Sequence, residues 1–203
     1  MNDLKDFFKN KTVAIVGNAM NIYNKNYGDL IDDHDIVVRM NHAPMQKPIN
    51  EGKKTTIIAF CGGGTGARGE THNFNDLAKK FKNADIKILA LNESGLLKIR
   101  ASNRLLNNCF FAGDSIKTYC RSQTDGKKPS SGWLMMHYIN ICDKPKSVSV
   151  FGYDWKKTRS NWHPEVTERD RDGNILSSHT HHWQKEEILC KSIIKENNWK
   201  LYE

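Results

Sequence analysis

Long hydrophobic runs are absent from this sequence of 203 residues. No stretch reaches the roughly 18 apolar residues that a membrane-spanning helix needs. The opening segment MNDLKDFFKNK also lacks the apolar centre of a secretory signal. We therefore expect a cytoplasmic protein whose contact with membranes is at most peripheral.

Paired cysteines are also missing. The five cysteines are an odd number, and no two of them have the CxxC spacing. Disulfide frameworks and cysteine zinc sites both need regular pairs. The pattern indicates a reduced protein with neither feature.

Two common nucleotide-binding signatures are incomplete. VAIVGNA, from Val13 to Ala19, reads as a strand with a glycine turn behind it, but no second glycine follows Gly17 as in GxGxxG. The loop CGGGTGARGE lacks the GK[ST] ending of a P-loop. The first absence argues against a dinucleotide-dependent oxidoreductase, and the second excludes a P-loop enzyme.

Positive charge is in excess, with 31 Lys and Arg against 23 Asp and Glu and a net charge of +8. This balance favours an anionic ligand. The lysines are scattered rather than grouped in blocks, so a solvated basic surface explains them equally well. A non-catalytic domain that binds a nucleotide or nucleic acid stays an alternative, and clustered arginines with exposed aromatic side chains would favour it.

Short apolar runs alternate with helical patterns along the chain. Strands are predicted at residues 11–16, 36–40, 55–60, 86–91 and 148–151, with an edge strand in the tail WKLYE. Helices are predicted at 74–81, 133–142 and 183–196, and in parts of 94–111, after which a polar stretch runs to residue 132. The inner stripe of the last helix is expected to hold Ile188, Leu189, Ser192 and Ile193. Residues 155–178 read as a long loop. This order predicts an α/β fold: a single domain over residues 1–203, with a mostly parallel sheet flanked by helices.

Polar side chains follow several of these strands. In parallel sheets ligands gather at the carboxyl ends of the strands, where Gly17–Asn18, Arg39–Asn41 and Gly152–Asp154 should meet. Glycine lets a ligand approach the backbone, and asparagine presents an amide. Arg39 needs an anionic partner, either within the protein or in a ligand.

Two other segments leave alternatives open. The acidic segment around Asp32, Asp33 and Asp35 reads either as a carboxylate cluster for a metal or as a turn capped by its own side chains. In KPSSGW, Ser130 or Ser131 caps a helix whose N-terminus also suits an anion.

The segment HTHHWQKEE holds three histidines and two glutamates. Zinc is one interpretation, but the spacing differs from HExxH, which puts both histidines on one helical face. A histidine that acts as a general base beside a carboxylate fits better. His181 with Glu186 and His182 with Glu187 have the same five-residue spacing.

Taken in order, these segments resemble the sialyl motifs of the eukaryotic-type sialyltransferases, glycosyltransferase family twenty-nine. Residues 13–44, VAIVGNAMNIYNKNYGDLIDDHDIVVRMNHAP, are similar to the large motif. Residues 129–155, PSSGWLMMHYINICDKPKSVSVFGYDW, are similar to the small motif, and the histidine and glutamate near the C-terminus resemble the very small motif. Four matching segments, counting GKKTT at 52–56, stand in the family's order.

The resemblance implies a Rossmann-like, GT-A-like fold and an inverting, metal-independent transfer of sialic acid from CMP-sialic acid to a glycan hydroxyl, with no cofactor and no nucleic-acid partner. His181 would be the base with Glu186 in support, His182 the fallback base, and His163 would assist the leaving phosphate. The implied donor-binding residues are Gly17, Asn18, Asn41, Ser130, Ser131, Gly132, Gly152, Tyr153 and Asp154.

One feature of the family is missing. The family usually joins a cysteine of the large motif to one of the small motif by a disulfide. Cys142 stands at the small-motif position, but Val13 stands at the other. The resemblance therefore implies a relative without this bridge, which agrees with a bacterial or viral protein of the cytoplasm.

Overall fold

The computed structural model describes residues 4–41, 45–61, 86–101, 108–155, 157–158 and 181–203, and the backbone alone for 98–101. Its strands are β1 (Thr12–Val16), β2 (Ile36–Met40), β3 (Ile57–Phe60), β4 (Lys87–Ala90), β5 (Cys109–Phe111), β6 (Ser147–Phe151) and β7 (Lys200–Tyr202). Its α-helices are α1 (Gly28–Asp32), α2 (Pro48–Glu51), α3 (Glu93–Ala101), α4 (Asp114–Ser122), α5 (Ser131–Asn140) and α6 (Trp183–Glu196). Short 3-10 helices span Lys5–Phe8 and Met20–Asn24.

The strands of the described part form one sheet in the order β5-β4-β3-β2-β1-β6-β7, and every neighbouring pair is parallel. From β1 the chain moves outward strand by strand to β5. It then crosses back through α4 and α5 to place β6 on the other side of β1. Ligands of open α/β sheets bind where the strand order reverses in this way, which here is between β1 and β6.

The sheet is covered on both faces, which explains why its central strands are apolar throughout. Val13 and Ile15 pack on one face in a cluster with α5 and α6, while Ala14 and Val16 pack on the other face with Ile22. All five residues of β2 are buried, including Arg39. The predicted α/β fold with a parallel sheet is confirmed.

Most predicted strands lie within a residue or two of the observed ones, but several short elements were missed, among them α2, β5 and α4. β5 has three residues and lies inside the stretch 94–111 that was predicted as partly helical. α4 was predicted as part of a polar stretch, because only Ile116 and Cys120 are buried among its residues. A strand of three residues and a helix with two buried side chains leave little periodicity to detect.

The inner face of the last helix was predicted only in part, because Ile193 is buried and Leu189 packs against the core while the other two residues are exposed. The expected stripe of Ile188, Leu189, Ser192 and Ile193 includes Ile188, which is 68% exposed, and Ser192, which is also exposed. The buried residues of α6 are instead Glu186, Cys190, Ile193 and Ile194. A glutamate therefore occupies a core position, and it turns out to organise the site.

Some predictions fall outside the described residues. These are the helix at 74–81, the loop CGGGTGARGE after Cys61, His163 and most of the loop at 155–178. That residues 1–203 form a single domain stays a prediction. Among the described helices, none combines the length and apolar character needed to cross a membrane.

Candidate functional site

The ends of β1 and β6 meet in a close backbone contact at the point where the strand order reverses. Gly17 N donates to Phe151 O at 2.8 Å, and Ala19 N donates to Gly152 O at 3.0 Å. A Cβ on Gly17 would lie 2.3 Å from Gly152 O, so no other residue fits there without moving a strand. Gly152 itself has φ +64°, a left-handed conformation that favours glycine.

Tyr153 fills the space beneath this contact. Its ring lies where a Cβ on Gly17 or on Gly132 would stand, at 2.7 Å and 2.9 Å respectively. Its hydroxyl donates to Gly132 O at 3.5 Å, and burial raises the pKa of this hydroxyl well above its ordinary value. Tyr153 therefore joins β1, β6 and the start of α5 into one rigid wall.

A second junction joins the carboxyl ends of β2 and β3 to α5. Asn41 adopts φ +54°, which asparagine tolerates better than most residues. Its Nδ2 donates to Ser131 Oγ at 3.3 Å, and its Oδ1 accepts from Cys61 N at 3.3 Å. Ser131 Oγ also lies 3.0 Å from Cys61 Sγ. Asn41 and Ser131, both predicted as donor-binding residues, thus stand side by side.

Positive charge surrounds this second junction. Burial raises the pKa of the Cys61 thiol to about 11, while the hydrogen bond from Ser131 and the charges of Lys128 and Lys117 favour its thiolate form. The two lysines therefore lie close enough to this edge of the sheet to act on a negative charge placed there.

Glu186 of α6 holds the N-terminus of α5 through hydrogen bonds to Ser130. Ser130 is the N-cap, and its Oγ accepts from Trp133 N at 3.1 Å. The same hydroxyl donates to Glu186 Oε2 at 2.5 Å, and Ser130 N donates to Glu186 Oε1 at 2.9 Å. Both carboxylate oxygens are thus used to hold one residue of the helix start.

Glu186 was predicted to support His181, and the structure gives it this different set of partners. Its side chain is 1% exposed, and burial raises its pKa to about 7 against the opposing effect of the two Ser130 hydrogen bonds. Its stripe on α6 continues through Cys190 and Ile193 at helical spacing, which was the sequence signal for an inward position.

We expect Glu186→Gln to remove a pH-dependent loss of stability. Because the folded-state pKa is raised from 4.5 to about 7, the folded chain keeps a proton that the unfolded chain releases, and stability falls as pH rises through that window. This pKa shift corresponds to about 3 kcal/mol of unfolding free energy. That contribution is lost between about pH 4.5 and pH 7, and the free energy of unfolding no longer changes with Glu186 above pH 7. Urea unfolding of wild type and variant at pH 5 and pH 8 measures this.

Glu196→Gln, on the exposed side of the same helix, is the matched control and should keep the wild-type pH dependence. If the unfolding free energy changes equally between pH 5 and pH 8 in the wild type and in Glu186→Gln, Glu186 ionises normally in the folded protein.

His181 and His182 have different surroundings. His181 Nδ1 lies 2.7 Å from Lys128 O, and its ring lies 4.9 Å from that of Trp183. Because a carbonyl oxygen only accepts, Nδ1 carries the hydrogen and the lone pair of the neutral ring is on Nε2. His182 Nε2 instead lies 3.5 Å from Asp125 Oδ2.

The other predicted donor-binding residues follow β1 and β6 at their carboxyl ends. Asn18 follows Gly17 and is partly buried. Asp154 is buried, and its Oδ2 accepts from both the backbone N, at 2.7 Å, and the hydroxyl of Thr158. Sequence reasoning missed Asn21, whose Oδ1 is buried with no hydrogen-bond partner among the described residues. Such an orphan acceptor is a place where a ligand donor lowers the free energy.

Arg39 and the acidic segment are engaged within the protein. Arg39 Nη2 donates to Glu51 O at 2.7 Å and its Nε donates to Lys54 O at 3.0 Å, so its partners are internal. Asp32 accepts from the backbone of Lys53 and Lys54, and Asp35 accepts from Thr12. These partners lie 21 to 23 residues away in sequence, so the two carboxylates tie the segment to neighbouring elements rather than capping their own turn.

Comparison with known proteins gives a consistent family. Residues 5–91 match the model of glycosyltransferase family 29 (sialyltransferase). The CMP-N-acetylneuraminate-beta-galactosamide-alpha-2,3-sialyltransferase 1 of Mus musculus is 28% identical over 164 residues, which are 74% of this chain and 46% of that protein. The CMP-N-acetylneuraminate-beta-1,4-galactoside alpha-2,3-sialyltransferase of Homo sapiens is 28% identical over 94% of this chain and 56% of its own. The chain thus spans about half the length of these relatives.

Solved structures share the fold. A mammalian sialyltransferase in complex with Gal-beta-1-3GalNAc-ortho-nitrophenol matches 95% of this chain and 69% of its own, with a TM-score of 0.61 and 18% identity. The sialyltransferase CstII from Campylobacter jejuni, in complex with cytidine-5'-monophosphate, matches 96% of this chain and 79% of its own, with a TM-score of 0.60 and 17% identity. The motifs, the parallel sheet and these matches agree, and the chain is similar to the sialyltransferases of glycosyltransferase family 29.

Proposed function

We propose that this protein transfers sialic acid, or a related acidic sugar, from a CMP-sugar donor to a glycan hydroxyl. The observation that carries the proposal is the convergence of three features at one edge of the sheet. They are the carboxyl ends of β1 and β6, where the strand order reverses, the N-terminus of α5, and His181, which is hydrogen-bonded to the carbonyl of Lys128. The relatives named above use CMP-N-acetylneuraminate by their names.

The donor phosphate or sugar carboxylate binds at the start of α5 in this proposal. The N–H groups of Ser131 and Gly132 lie in the first turn of the helix, where N–H groups have no acceptor within the helix and the helix dipole is positive. Lys117 and Lys128 add positive charge nearby. Asn41, held against Ser131, contributes an amide to the same site.

The nucleoside lies over the carboxyl ends of β1 and β6 in this proposal. Asn18 and the Gly152–Asp154 segment flank it, and Tyr153 supports it from below. Asn21 Oδ1 accepts a hydrogen bond from the ribose or the cytosine amino group. Asp154 helps to enclose the nucleoside but does not bind it through Oδ2, because that oxygen already accepts from the backbone N and the hydroxyl of Thr158.

The reaction needs one base and a stabilised leaving group. His181 Nε2 takes the proton of the acceptor hydroxyl while that oxygen forms the new bond to the anomeric carbon. The bond from that carbon to the CMP phosphate breaks, and its electron pair leaves with the phosphate. A single displacement inverts the anomeric centre, and the α5 donors and lysines balance the departing charge without a metal. His182 is the less suitable base, because its Nε2 faces Asp125. His163 stays a prediction for the leaving-group side.

A thermal-shift titration with CMP, UMP, AMP and NAD tests the donor half of this proposal without knowledge of the acceptor. CMP at about 100 times its Kd should add about 2.7 kcal/mol, which is roughly 5–10 °C for a chain of this size. Ser131→Ala should lose most of that shift, whereas Ser192→Ala, on the exposed face of α6, should keep it. Stabilisation by NAD, or by none of the four, would contradict the proposal. A positive result leads to a transfer assay with CMP-sialic acid and β-galactoside acceptors.

A further inference from the structure

The turn between α4 and α5 contacts the histidine segment at two points. In this turn, Thr124–Lys128, the Lys128 carbonyl accepts from His181 Nδ1 at 2.7 Å. The Asp125 carboxylate lies 2.6 Å from Lys185 Nζ and 3.5 Å from His182 Nε2. The start of α6 therefore contacts this turn through His181 and Lys185, although more than fifty residues separate the two segments in sequence.

The Thr124–Lys128 turn is itself fixed to α4. Thr124 is fully buried, and its Oγ1 lies 3.1 Å from both Cys120 O and Lys127 O. Arg121 Nε donates to Gly126 O at 2.7 Å. Asp125 adopts the left-handed φ of +53°, a costly conformation that persists only where the surroundings determine it. The turn therefore presents the Asp125 carboxylate and the Lys128 carbonyl in a set arrangement.

We propose that Asp125 is a positioning residue for His181. By holding His182 and Lys185, it fixes the chain on either side of the α6 start, so that the His181 ring stays on the Lys128 carbonyl. That hydrogen bond selects the tautomer with the hydrogen on Nδ1, which keeps the basic lone pair on Nε2. Asp125 acts through His181 and does not touch the substrate. The inference rests on the proposed role of His181 as the base.

The charges around Asp125 fit this role. The hydrogen bond from Lys185 holds the pKa of the Asp125 carboxyl below its ordinary value, with smaller contributions from the charges of Lys185, His182 and Lys127. The carboxylate is thus charged at neutral pH. Because Asp125 is exposed, its ion pairs add little to stability, and we infer that their effect is to orient the start of α6.

The test is Asp125→Asn in the full chain, measured in two ways. Long-range ¹H–¹⁵N spectra of histidine-labelled protein, with His181 assigned through His181→Gln, should show the Nδ1–H tautomer in the wild type. In Asp125→Asn the fraction of His181 in the Nε2–H tautomer should rise. With CMP-sialic acid and a β-galactoside, kcat should fall about fivefold to tenfold with KM for the donor unchanged. Asp125→Glu should restore part of both signals.

Asp143→Asn, an exposed aspartate outside this contact, is the control and should change neither signal. An unchanged tautomer in Asp125→Asn overturns the inference, even if kcat falls, because the loss is then a general structural effect. The tautomer measurement needs no substrate. Its failure is therefore distinguishable from failure of the sialyltransferase proposal, which His181→Ala and the CMP titration report separately.

Discussion

His181→Ala is expected to abolish sugar transfer while CMP binding survives. A general base contributes about 10² to 10⁴ in rate, so kcat should fall at least about a hundredfold. His181 contacts Lys128 and Trp183, whereas Asn41 and Ser131 are held by each other, so the CMP-induced thermal shift should stay close to that of the wild type. Added imidazole should restore part of the activity by supplying the missing base.

His137→Gln is the matched control for this prediction. His137 is a half-buried histidine of α5 that stacks on Tyr119 with 4.3 Å between ring centroids. It lies outside the proposed site and should leave turnover near the wild-type value. Unchanged turnover in His181→Ala would move the base to His182 or to His163, and loss of the CMP shift would mean that His181 also shapes the donor site.

The sheet could be predicted from the sequence because its chemistry is local. IVVRM in β2 and IIAF in β3 are buried on both faces, so each shows as a continuous apolar run. The placement of β6 beside β1 follows from the right-handed crossover and the usual position of a glycine turn at a reversal of strand order. β5 and α4 were missed because neither has enough buried residues to set a period.

The sequence names candidate site residues but does not give the contacts between them. Motif order placed Asn41 and Ser131 together, although 90 residues separate them. The link between Glu186 and Ser130 spans 56 residues, and spacing within the segment HHWQKEE instead suggested a pair with His181. A carboxylate on the inner stripe of a helix needs a buried partner. That rule favours a contact across the fold, but it does not say with which residue.

Gly17→Ala is expected to lower the free energy of unfolding by about 3 kcal/mol and to remove CMP binding. The added Cβ would lie 2.3 Å from Gly152 O and 2.7 Å from Tyr153 Cδ2, so β1 and β6 must separate where the nucleoside is proposed to lie. Overpacking typically costs about 1–3 kcal/mol, and here one of the clashing atoms is backbone of a central strand pair. The melting temperature should fall by roughly 5–10 °C, and CMP should no longer raise it.

Gly132→Ala provides the contrast that identifies the cause. Its Cβ would meet only side-chain atoms of Tyr153 among its nearest neighbours, at 2.9 to 3.3 Å. A Tyr153→Ala background should therefore relieve most of the cost at Gly132 but leave the clash of Gly17→Ala with Gly152 O. Urea unfolding of the two double-mutant cycles measures this as a larger coupling energy for Gly132 with Tyr153. If Gly17→Ala is relieved equally, Tyr153 alone fixes this contact. The glycine is then required for ring packing rather than for the approach of the two strands.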